Sequence, residues 1–149
     1  MLCPIDRDDD SMRALEYAIE VARKYKSTLY LLHVARVPLS DMNTPIAIEP
    51  DPHWQREARR SLELIAREQL EGRVVHEVIV RQGVPESVIG QAAAELPADL
   101  IVLSTHGRSG FAHLFLGSIA ETVIDETQCP VLVVPIPDAE RSSDDSQKS

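Results

Sequence analysis

Aromatic residues are scarce in this sequence: Phe, Trp and Tyr together make up 4%. A chain so poor in rings must build its core from aliphatic side chains, which suits a buried parallel sheet. Cations are also in short supply, 15 Lys+Arg against 24 Asp+Glu, for a formal net charge of -9. That balance argues against nucleic acid, which needs a basic stripe, and against an anionic membrane surface. No apolar run approaches the ~18 residues of a membrane span. The amino terminus lacks the basic start, long apolar stretch and small-residue cleavage site of a secretion signal, so the expected location is the cytoplasm. There are two cysteines, Cys3 and Cys129, and no C-x-x-C pair. They are expected to be reduced, partly buried thiols with no metal or redox role. Neither G-x-x-x-x-G-K-[ST] nor G-x-G-x-x-G occurs, which argues against a P-loop and a dinucleotide fold.

What is present is an ordinary globular balance, 44% hydrophobic and 26% charged over 149 residues. A chain of this length fits one domain and buries roughly 68–70% of its unfolded surface. Leu2-Cys3-Pro4-Ile5-Asp6 opens it as a short apolar run ending in an acid. Asp8-Asp9-Asp10-Ser11 follows, with Ser11 as candidate helix N-cap. Leu15, Ala18, Ile19, Ala22 and Tyr25 recur at helical spacing, so residues 11–26 read as an amphipathic helix. Residues 28–34 form a continuous apolar strand run. Prolines at 38, 45, 50 and 52 mark 38–53 as a long loop. A second helix covers about 54–70, a strand 74–80, a helix beginning at Gly83-Val84-Pro85-Glu86, and a strand 100–103. Ser118 leads into a short helix through Ile119, Val123 and Ile124, and Val131 to Val134 is the last strand. Residues 1–137 read as one domain, and 138–149, without an apolar anchor, as a disordered polar tail.

The order βαβαβαβαβ implies an α/β fold: five parallel strands, doubly wound, with right-handed crossovers and helices on both faces. A ligand site in such a sheet lies beyond the carboxyl ends of the strands, at the switch point. That point is expected between the first and fourth strands, bringing Asp6 to Ser104–Gly107.

Ser104-Thr105-His106-Gly107-Arg108-Ser109-Gly110 follows the fourth strand directly, and nine residues separate Gly107 from Gly117-Ser118. Glycines let backbone amides approach an oxyanion, and a helix start adds unpaired donors and partial positive charge. The segment therefore reads as a phosphate cradle, with Arg108 as a nearby cation. The plainer alternative is Ser118-Ile119-Ala120-Glu121 as a capping box for its own helix. His33 and His106 are titratable, but neither has a triad-like partner in the sequence. His33 reads as a strand-end histidine filling a polar contact, and no general base for hydrolysis stands out.

Taken together, these motifs resemble the universal stress protein family over residues 2–134. The resemblance rests on Pro4-Ile5-Asp6, Leu31-Leu32-His33-Val34, Gly83-Val84-Pro85, Thr105 to Gly110, Leu116 to Glu121 and Pro130 to Val134. It implies an adenine-nucleotide α-hydrolase-like sheet of order 3-2-1-4-5. It further implies a regulatory protein of the stress response that binds ATP or AMP, with slow or no hydrolysis. By that resemblance Asp6 and Val34 hold the adenine and ribose side. Pro4, Leu103 and Ile119 line the pocket. Gly107, Gly117 and Ser118 meet the phosphates, within a site that also takes in Ser104, His106, Arg108 and Gly110. Two departures matter. Ser104 stands where the family's ATP-binding branch carries its first glycine. Asp8 to Asp10 follow Asp6 where the family places a glycine and a serine, and those carboxylates oppose a polyphosphate unless Mg²⁺ bridges them. The alternative is therefore a ligand-independent dimeric interaction protein with a protein partner of unknown identity. The short apolar edge strand Val131 to Val134 is the expected homodimer surface. A response-regulator receiver fails, because the third strand ends in Val80-Arg81-Gln82 and the fifth in Val134-Pro135, without the aspartate and lysine it needs.

Overall fold

Helical stripes and continuous aliphatic runs alternate along the chain, and each takes its matching form in the computed structural model, which describes residues 1–6, 9–36, 52–105 and 117–135. The strands are β1 (Leu2–Pro4), β2 (Leu29–Ala35), β3 (His76–Gln82), β4 (Ile101–Ser104) and β5 (Val131–Val134). The helices are α1 (Asp9–Tyr25), α2 (Pro52–Gln69), α3 (Pro85–Glu95) and α4 (Ser118–Glu126). All pairings are parallel, in the order β3-β2-β1-β4-β5. The expected fold class and strand order hold. The tail, Asp8 and most of the Pro-rich loop lie outside the described residues, but α2 already begins at Pro52, so the loop expected over 38–53 ends earlier.

Alternation along the strands sorts the core into two faces. Cys3 and Leu31 face α1 and α2, where Leu15, Ile19, Leu62 and Leu70 are fully buried. Leu2, Leu32, Ile101 and Leu103 face α3 and α4, against Ile89, Ala92, Ala120 and Val123. Each fully buried aliphatic side chain contributes about 1.5–3 kcal/mol relative to exposure. The first turn of α1 carries Asp9 and Asp10 and its last turn Arg23 and Lys24, both favourable to the helix dipole.

Several boundaries shift by one or two residues from their expected places, among them the start of α1 and the span of β3. Ser11 is the third residue of α1 and not its N-cap. β3 runs two residues later than the apolar run 74–80, because its ladder with β2 extends from Leu29 opposite His76 to Ala35 opposite Gln82. As an edge strand it is only half covered, and Val75 ahead of it is 72% exposed. Gly83 then turns the chain towards α3 with φ +148, its amide donating to the Ala35 carbonyl at 2.9 Å. A Cβ there would meet Val88 Cγ2 at 2.8 Å, so glycine is required on both counts.

Candidate functional site

A cavity of about 350 Å³ opens at the carboxyl ends of β1, β2 and β4. Its wall at β1 is Pro4, Ile5 and Asp6; at β2, Leu32, Val34 and Arg36; at β4, Leu103, Ser104 and Thr105. Pro85 and Ile89 of α3 close one side, Gly117 with Ser118, Ile119 and Ala120 of α4 another, and Ser11 of α1 adds to the wall beside Asp6. This is the β1/β4 switch point of the sheet, where the connections reverse direction.

The amino end of α4 is built to present backbone donors. Its N-cap is Gly117, without a side-chain capping bond, so Ser118 does not cap its own helix. The Gly117 amide donates to the Thr105 carbonyl at 2.6 Å, which closes the chain between β4 and α4. The first return bond of the helix runs from the Glu121 amide to the Gly117 carbonyl, 3.0 Å. Ser118, Ile119 and Ala120 therefore have amides without intrahelical acceptors, beside a cavity they line. The amino end of α3 likewise has no side-chain cap, with Val84 as N-cap and Pro85 in its first turn. Two helix starts thus direct partial positive charge towards one cavity. Asp6 and Arg36 add one full charge of each sign to the wall.

Eight expected site residues come together here: Pro4, Asp6, Val34, Leu103, Ser104, Gly117, Ser118 and Ile119. His106, Gly107, Arg108 and Gly110 lie outside the described residues. His33 does not line the cavity. It is 7% exposed, and its Nδ1 meets the Ile5 carbonyl at 2.8 Å, the polar contact expected of a strand-end histidine. The sequence reading missed Ser11, Arg36, Pro85 and Ile89, along with Ile5, Leu32 and Ala120. Applying the carboxyl-end rule to every strand, and not only to β1 and β4, would have pointed to the ends of β2 and β3. Among the described residues, no cluster of three or more His, Cys, Asp or Glu is placed to hold a metal ion. No described helix is long and apolar enough to cross a membrane.

The sequence profile of the universal stress protein family matches residues 1–135. The chain belongs to that family. Universal stress protein MJ0531 of Methanocaldococcus jannaschii is 30% identical over 147 residues, covering 94% of this chain and 84% of the relative. Universal stress protein YxiE of Bacillus subtilis is 33% identical over 144 residues, covering 90% and 97%. Among solved structures, hypothetical protein MJ0577 superposes with a TM-score of 0.78 at 26% identity, covering 92% of this chain and 95% of that one. A universal stress protein solved in complex with cAMP gives a TM-score of 0.63 at 25% identity, covering 90% and 94%. The family assignment thus agrees with the five-stranded parallel sheet and its order.

Proposed function

We propose that this universal stress protein is a regulatory protein of the stress response that binds an adenine nucleotide, ATP or AMP, in the switch-point cavity. The observation that carries the reading is the uncapped amino end of α4, whose Ser118, Ile119 and Ala120 line the cavity together with Ser104 and Thr105. Backbone donors at a helix start suit a phosphate. Leu32, Val34, Ile89 and Leu103 supply an apolar wall for a base. The relative solved with cAMP supports a nucleotide ligand of this class. Asp6 is the one carboxylate in the described wall, and that wall holds no histidine, so binding with slow or no hydrolysis is expected. Mg²⁺ would enter with the nucleotide through Asp6 and the acids that follow it. A cytoplasmic homodimer joined through β5 completes the proposal.

The other reading is a ligand-independent dimeric interaction protein. The side chain of Ser104 in the cavity wall, where the family's ATP-binding branch has glycine, favours it. Isothermal titration with ATP, AMP and cAMP, each with and without Mg²⁺, separates the two. Binding of at least one nucleotide at one site per chain, lost in a folded Gly117→Val variant, is expected. No heat with any of them sinks the nucleotide reading and leaves the second.

A further inference from the structure

Only two polar side chains are buried among the described residues, Ser11 at 5% and His33 at 7% exposure. Both reach the same peptide group. The carbonyl of Ile5 is met by Nδ1 of His33 at 2.8 Å. The amide of Asp6, the other end of that peptide, donates to Oγ of Ser11 at 3.3 Å. A carbonyl only accepts, so Nδ1 of His33 carries the hydrogen.

The need for such a clamp follows from where β1 stops. The Ile5 amide still donates to the Leu32 carbonyl at 2.7 Å, continuing the parallel ladder. Beyond it β1 has ended at Pro4 and the chain bends towards α1. The Ile5 carbonyl, in a residue 2% exposed, would be left without a strand partner. The imidazole, projecting from the face of β2 opposite Leu32 and Val34, takes the place of a ladder donor. Ser11, the third residue of α1, fixes the other end of the plane and, unlike His33, also lines the cavity. Asp6 hangs from that plane, and its side chain stands in the cavity wall with Pro4 and Ile5.

We propose that His33, acting with Ser11, is a positioning residue for the ligand cavity: the two side chains lock the Ile5–Asp6 peptide from opposite ends and so set the direction of Asp6. His33 governs ligand affinity from the far face of the sheet without touching the ligand. The claim about affinity rests on the nucleotide reading above, whereas the clamp itself does not.

The test compares His33→Asn, whose amide nitrogen falls where Nδ1 was, with His33→Gln, whose amide lies one bond too far, and His33→Leu. Hydrogen exchange at the Asp6 amide is followed without ligand, and AMP and ATP are titrated calorimetrically. Loss of a buried, partly shared hydrogen bond predicts at least about fivefold faster exchange at Asp6 in His33→Leu and His33→Gln. Nucleotide affinity should fall on the order of tenfold in the same variants. His33→Asn should restore both to within about threefold of the parent. A merely structural histidine would show no such distinction between Asn and Gln at matched thermal stability. Equal exchange at Asp6 in all folded variants overturns the clamp, as does equal affinity where the parent binds. If the parent binds no nucleotide, the functional reading fails alone and the exchange data still decide the clamp. If His33→Leu does not fold, the Asn and Gln pair carries the comparison.

Discussion

Cys3 lies between the two helical layers with no exposed surface, and burial pushes its thiol up from 9.0 to about 12. The folded chain therefore keeps a proton that the unfolded chain releases near its ordinary value. The stability this thiol contributes is complete below about pH 9 and is lost as pH climbs towards 12, because the unfolded state binds fewer protons across that window. Urea unfolding of the parent should lose stability on the order of 1 kcal/mol per pH unit faster above pH 9 than that of Cys3→Ala. Parallel pH profiles for the two proteins would refute this. The sequence showed Cys3 as a reduced thiol in an apolar run, but its complete enclosure arises from α1 and the strands on either side of β1, which pack from distant positions. The same limit applies to Ser11 and His33. Composition marks each as polar, and local rules offer a helix cap or a strand-end contact. That both serve one peptide becomes visible only when β1, β2 and α1 are brought together.

Among elements, β5 matched its expected span because Pro130 and Pro135 bracket four β-favouring residues. β3 did not, because an apolar run fixes where a strand can form while its neighbour's ladder fixes where it does. As an edge strand among the described residues, β5 pairs with β4 alone and leaves Leu132 37% exposed. The proposed homodimer through β5 predicts that Val133→Lys yields monomers at concentrations where the parent is a dimer. Light scattering coupled to gel filtration measures this, and an unchanged mass would place the interface elsewhere. α4 was legible as an element, yet its capping was not. The motif Ser118-Ile119-Ala120-Glu121 looks like a capping box, but the Gly117 amide is drawn to the Thr105 carbonyl, which puts Ser118 one position inside the helix.

At the scale of the whole molecule, the two packed faces divide the work. α1 and α2 bury one face of the sheet, while α3 and α4 cover the other and also wall the cavity. Leu62→Ala and Ile89→Ala should each cost about 2–5 kcal/mol of stability. Only Ile89→Ala, whose side chain lines the cavity, should also weaken nucleotide binding. Equal effects of both substitutions on calorimetric affinity would show that the cavity depends on global stability and not on its own wall. The fold was legible because alternating periodicities and aliphatic runs are properties of short segments. The cavity's full wall was less so, since it gathers single residues from three strands and three helices. The sheet itself has a narrow waist. β1 is three residues long, and its register with β4 is one pair, Leu2 opposite Ile101, against seven between β2 and β3. The cavity sits on that waist, between Pro4–Asp6 and Ser104–Thr105. Any occupant touching both rims stitches the β3-β2-β1 half to the β4-β5 half, so the molecule pulled apart across its sheet would resist with the strength of its ligand.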